Sequence, residues 1–136
     1  MREEQMCISA QGGFVIIDVS GYSSHQLSDS YQDFGLLCAR RKVRRALLRT
    51  GDEDAYAHYA LRDVLRTIAL IVGIPLRFRL AVVASSDSIM QVYANMQQEL
   101  RALGCDARVF RVERQAAHWI GAAKQPARPV AAEAAA

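Results

Sequence analysis

The chain has 136 residues, a hydrophobic fraction of 51% and a formal net charge of +3. That length suits one domain of about 100–200 residues, and the apolar content excludes a disordered or fibrous chain. The longest apolar stretch, Ile68–Ile74, is far below the ~18 residues of a membrane span, and Met1-Arg2-Glu3-Glu4 with no apolar run behind it predicts no secretory signal.

Met6–Gln11 alternates weakly, and Phe14–Val19 is strongly apolar, with Gly12-Gly13 between them. Adjacent glycines supply the positive φ of a tight hairpin, which predicts an antiparallel edge strand turning into a buried one. Ser23-Ser24 can cap a helix, and Leu27, Tyr31, Phe34, Leu37 and Cys38 then fall three or four apart on one helical face ending near Arg41. Val43–Leu48 reads as a short strand, with Arg44 and Arg45 at an exposed edge or at its start. Asp52 or Asp54 can cap a second helix whose apolar face is Ala57, Leu61, Val64, Leu65, Ile68 and Val72, stopped by Gly73 and Pro75. Phe78–Ala84 is the next strand. After the polar break Ser85–Ser88, a third helix is lined by Ile89, Val92, Tyr93, Met96, Leu100 and Leu103 and ended by Gly104. Cys105–Val112 is a last strand, and Glu113–Ile120 a short helix with Trp119 as its large anchor. Residues 122–136 are rich in Ala and Pro and form a tail without a core pattern.

The order β-β-α-β-α-β-α-β-α predicts an α/β fold. Its mostly parallel five-stranded sheet has right-handed crossovers and is flanked by helices. The last turns of the second helix, Ile68–Val72, are apolar around most of the helix. They are expected to be buried on two sides, the other readings being a homodimer surface or a pocket for an acyl chain.

Of the 17 basic residues only Lys42 and Lys124 are lysines, and 14 acids offset them. The cluster Arg40-Arg41-Lys42 with Arg44-Arg45 falls where a helix ends, and cations there complement the helix dipole. No nucleic-acid partner is expected from it. The 3 cysteines include no CxxC pair. They predict reduced thiols in a cytoplasmic protein rather than a zinc site or a disulfide. Neither a metal nor a cofactor is expected: Gly12-Gly13 precedes a strand and so cannot cradle phosphate at a helix start.

The hairpin with Phe14-Val15-Ile16-Ile17-Asp18-Val19-Ser20-Gly21, then Leu80-Ala81-Val82-Val83, then Ala107–Phe110 followed by Glu113–Ile120 closing on Trp119-Ile120, resemble the SpoIIAA-like proteins of the STAS superfamily. The resemblance covers about residues 6–121 and implies one such domain over 1–121. That group includes bacterial anti-anti-sigma factors, with a phosphorylatable serine in an Asp-Ser-Ser/Thr-Gly turn after the second parallel strand. The corresponding stretch here is Arg49-Thr50-Gly51-Asp52-Glu53-Asp54. Only Thr50 carries a hydroxyl, which makes it the phosphorylation candidate, and the acids crowding it oppose added negative charge.

Ligands of open parallel sheets bind beyond the carboxyl ends of the strands. Three loops should meet there, at Ser20–His25, Thr50–Asp54 and Ser85–Ser88. The expected binding residues are Tyr22, Thr50, Asp52, Tyr56 and His58, the last a surface histidine interacting with a carboxylate such as Asp54 four residues upstream. The expected function is a non-enzymatic, regulatory module of SpoIIAA-like type binding a protein partner or an apolar or neutral small ligand. The alternatives are a phospho-regulated antagonist in a sigma-factor switch, and a small enzyme built on these loops, for instance from Ser86, His25 and Asp87. No Gly-x-Ser-x-Gly elbow supports the enzyme.

Overall fold

Short apolar runs separated by amphipathic helices fold here as an α/β structure. The computed structural model describes residues 9–11, 14–41, 44–73 and 77–124. In chain order they form β1 (Ser9–Gln11), β2 (Phe14–Asp18), α1 (Ser24–Arg41), β3 (Arg45–Arg49), a 3-10 turn (Ala55–Tyr59), α2 (Ala60–Val72), β4 (Phe78–Val83), α3 (Asp87–Ala102), β5 (Cys105–Phe110) and α4 (Glu113–Lys124). Strands β2, β3, β4 and β5 lie side by side in that order and run parallel, and the three-residue β1 pairs antiparallel with β2. Residues 6–8, Gly12-Gly13, Val43 and 125–136, which carry parts of the expected first strand, hairpin turn, third strand and tail, lie outside the described residues.

Because spatial order equals chain order, each crossover leads to the adjacent strand. Crossovers of one hand then stack α1, α2 and α3 on one face of the sheet. The pleat sorts the side chains accordingly. Ile17, Ala46, Leu48, Leu80, Val82 and Ala107 meet Leu27, Tyr31 and Phe34 of α1, Leu61 and Leu65 of α2, and Ile89, Met96 and Leu100 of α3 in the main core. Among the described helices, α4 is the one on the opposite face, where its Ala116 and Ile120 cover Ile16, Leu47 and Ala81.

Local signals fix the element boundaries. At α1, Ser23 Oγ accepts from Gln26 N at 3.2 Å while Gln26 Oε1 accepts from Ser23 N at 2.9 Å, a reciprocal capping box. Ser86 Oγ accepts from Ile89 N at 3.2 Å and caps α3. The second helix starts later than its sequence suggests. Asp54 Oδ1 accepts from Tyr56 N at 3.1 Å, but what it caps is the 3-10 turn, and regular α-helix begins only at Ala60.

Two expectations about packing are corrected. The end of α2 is not buried on two sides. Its inward stripe is Leu61, Leu65, Ile68 and Ala69, and Leu70 (75% exposed) and Ile71 (70%) fall off that stripe into solvent. Trp119 is only half-buried. Its ring lies 6.0 Å from that of Phe110 and beneath the guanidinium groups of Arg79 and Arg108, at 5.4 and 5.0 Å from its centroid. The neighbouring Ile120 is the fully buried anchor of α4. Trp119→Ala should therefore cost about 1–2 kcal/mol, less than the ~3–5 kcal/mol of a fully buried tryptophan, and Ile120→Ala about 2–4 kcal/mol. Urea melts of the two variants check this ranking, and a larger loss at Trp119 than at Ile120 would reverse it.

Candidate functional site

The carboxyl ends of β2, β3 and β4 deliver three loops to one end of the sheet. Backbone and side chain lock them together. Thr50 N and Thr50 Oγ1 both donate to Val83 O, at 3.2 and 2.7 Å, and Thr50 Oγ1 accepts from Ser85 N at 3.0 Å. Ser85 Oγ donates to Gly51 O. Val19 N donates to Arg49 O at 3.0 Å. A Cβ on Gly51 would stand 2.9 Å from Ser20 Cα, closer than such carbons come, so the β2 and β3 loops touch as only glycine permits.

Glu53 sits where these loops meet, its side chain fully buried. Its Oε1 accepts from Gly21 N at 3.1 Å and Gly51 N at 2.8 Å. Gly21 can aim its N–H this way because it adopts φ +78°. Glu53 Oε2 accepts from His58 Nε2–H at 2.9 Å. On the other side of the imidazole, Nδ1 lies 2.7 Å from Tyr31 Oη and 2.9 Å from Tyr93 Oη, and the two hydroxyls are 3.2 Å apart. With Nε2–H given to the carboxylate, Nδ1 accepts from one phenol, and the other phenol donates to its neighbour's oxygen. That assignment, made from the hydrogen-bond geometry, leaves no donor in the cluster unused.

The surroundings tune these groups. Burial opposes ionisation of Glu53, but the hydrogen bonds from His58, its own N–H, Gly21 and Gly51 outweigh it and hold the carboxyl below its ordinary value. Burial pushes the phenols of Tyr31 and Tyr93 upward, so both remain protonated donors.

Against this frame lies an open cleft of about 560 Å³ between the 3-10 turn and α3, lined by Asp52, Glu53, Asp54, Tyr56, Tyr59, Ser86 and Asn95 among others. Tyr56 is 76% exposed at its wall. Its ring stacks on Tyr59 with centroids 6.3 Å apart, Asn95 Nδ2 donates to Tyr59 Oη at 3.1 Å, and Arg62 covers the Tyr59 ring.

The structure thus brings Asp52 and Tyr56 to one cleft and keeps Tyr22, Thr50 and His58 out of its lining. Tyr22 is half-buried against the core. The Thr50 hydroxyl is engaged by two backbone groups in a buried setting. His58 is not a surface residue: it is 0% exposed, and its carboxylate partner is Glu53 rather than Asp54. The reason is the 3-10 turn, which points His58 inward beneath the loops. His25 instead pairs with Asp29 at 3.5 Å and Asp87 with Arg111, while Ser86 Oγ caps α3, so these three groups are engaged with separate partners. Glu53, Tyr31 and Tyr93 are the members that sequence reasoning passed over. The available signal was chemical: two tyrosines at core positions each require a partner for a buried hydroxyl.

Among the described residues no group of three His, Cys, Asp or Glu side chains could hold a metal ion, and no helix is long and apolar enough to cross a membrane. No protein-family model, curated protein or solved structure matches the chain.

Glu53 makes folding pH-dependent in a defined direction. Its folded value is depressed, so its contribution to stability is complete above the ordinary value of 4.5 and is lost as pH falls through the lower folded value. Glu53→Gln would keep an acceptor for His58 but would turn an NH2 towards other N–H groups. It should cost about 2–4 kcal/mol near neutrality. Urea melts from pH 7 to 3 should show the gap to wild type narrowing below 4.5; a gap independent of pH would remove the ionised carboxylate from the account.

Proposed function

We propose that the chain is a small non-enzymatic module with a STAS-like, SpoIIAA-like fold. On this reading it acts in the cytoplasm as a regulatory protein, binding a partner protein or a neutral small ligand at the cleft beyond the carboxyl ends of the parallel strands. The observation that carries this reading is the division of labour at that end of the sheet. The groups with chemical potential, Thr50, Glu53 and His58, are spent on holding the loops. The groups left facing outward are an exposed tyrosine, a second tyrosine tied to an asparagine, and short polar side chains. A tyrosine pair offers a large apolar area with polar tips and little rotamer entropy to lose, which suits recognition. Asp52 and Asp54 on the rim disfavour an anionic ligand there.

Proteins of the source cell retained on the immobilised chain should include one whose retention falls about tenfold or more with Tyr56→Ala. That variant's urea midpoint should stay within about 0.5 kcal/mol of wild type, since Tyr56 is exposed. Chemical-shift mapping with the recovered partner should then perturb Asp52, Tyr56, Tyr59 and Asn95. Perturbations centred on Leu70–Val72 would place binding on α2 and end this reading.

A further inference from the structure

Among the described residues, the sheet face that carries α4 is covered only in part, and the part beyond α4 is rich in arginine. The pleat puts Arg45, Arg79 and Arg108 on this face together with Leu47 and Ala81. Arg45 is directly beside Arg79 in the strand register, and Arg108 is beside Ala81, two residues along from Arg79. Arg44 and Arg77 stand exposed at the amino-terminal ends of β3 and β4. Elsewhere Arg49 pairs with Glu113, Arg62 and Arg66 with Glu99, and Arg111 with Asp87, while Arg101 and Arg114 stand exposed on α3 and α4. Arg79 and Arg108 are both exposed, and among the described residues the Trp119 ring is the one partner of their guanidinium groups.

A guanidinium over an indole is held in place by the ring while its N–H edge remains open to solvent. Two such groups form a rigid pair of forks, each matched to a planar oxyanion. We propose that this face docks an acidic segment of a partner protein, with Asp or Glu carboxylates pairing with Arg79 and Arg108. The surface is distinct from the cleft at the carboxyl ends. A single-stranded nucleic acid would need a bare aromatic ring on which to stack its bases. Trp119, the large aromatic side chain of α4 on this face, already has guanidinium groups over it.

The chain contains one tryptophan, so its emission reports on this face alone. A fluorescein-labelled peptide of alternating Glu and Ser, twelve residues long, should bind the full chain by anisotropy. An unlabelled copy should shift Trp119 emission over the same concentrations. Arg79→Gln with Arg108→Gln should weaken binding about tenfold or more, whereas Arg62→Gln with Arg66→Gln on α2 should leave it within about twofold. Binding should also weaken steeply with salt. Equal losses in the two double variants, or unchanged emission in wild type, would overturn the proposal. Tighter binding of oligothymidylate or of phosphatidylserine vesicles than of the peptide would overturn it in favour of a phosphate-bearing partner.

Discussion

A single carboxylate organises the functional end of this molecule. Glu53 reaches the loop after β2 through Gly21, its own loop after β3 through Gly51, and the turn before α2 through His58. Without it two loop N–H groups would lose their protein acceptor, and the fully buried imidazole N–H of His58 would be left unpaired, at a cost of about 1–3 kcal/mol for a buried donor. The carboxylate satisfies the two loop groups with one oxygen and leaves the other for the imidazole. The geometry also demands glycine at two of its partners. Gly21 must adopt a positive φ to aim its N–H, and Gly51 must lie against Ser20 with no Cβ between them. Sequence requirements twenty or more residues apart are therefore consequences of one buried charge.

The second organising fact is the inequality of the two sheet faces. Sequential strand order with one crossover hand sends three helices to one side, so among the described helices the fourth is left to cover the other. Twelve residues of α4 span about 18 Å at the usual rise, too short and narrow to cover a five-stranded sheet. Its anchor Ile120 covers the centre, and the remaining surface is polar by necessity. That explains why β3, β4 and β5 are not uniformly apolar as strands buried on both faces would be. Arg45, Arg79 and Arg108 interrupt them at the alternating positions that face away from the three-helix layer.

Much of the architecture was legible because it rests on local rules. The 3.6-residue periodicity of Leu27, Tyr31, Phe34 and Leu37, the caps Ser23 and Ser86, and the stops at Gly73 and Gly104 all act within a few residues of themselves. The cleft was legible through topology, since parallel strands bring their loops to one end whatever the side chains are. What escaped was set by contacts across the chain. Glu53 and His58 are separated by five positions, and no helical or strand spacing pairs them; only a 3-10 turn folded back over the core does. Tyr31 and Tyr93 looked like ordinary members of apolar faces because their rings are. Their hydroxyls find each other and His58 only once α1 and α3 are laid on the same face of the sheet. The apolar run at the end of α2 misled for the converse reason: apolar content does not say how many neighbours a helix end will have, and here the stripe facing the core takes only Ile68 and Ala69.

Burying four polar side chains where leucines could have packed gives little net stability, since satisfied buried networks roughly repay their own desolvation. What such a network fixes is geometry. In a 3-10 helix successive residues are about 120° apart, so Tyr56 and His58 cannot face the same way. With His58 held under the loops by Glu53 on one side and the phenols on the other, the rotation of the turn is set, and Tyr56 is driven outward beside Tyr59. The turn has only five residues and little intrinsic preference for one orientation, so a purely apolar residue at 58 would anchor it by contact alone and leave its rotation soft. The buried Glu53–His58–Tyr31–Tyr93 cluster and the exposed Tyr56 are in this sense one device: the first is the bearing that holds the second at the wall of the cleft.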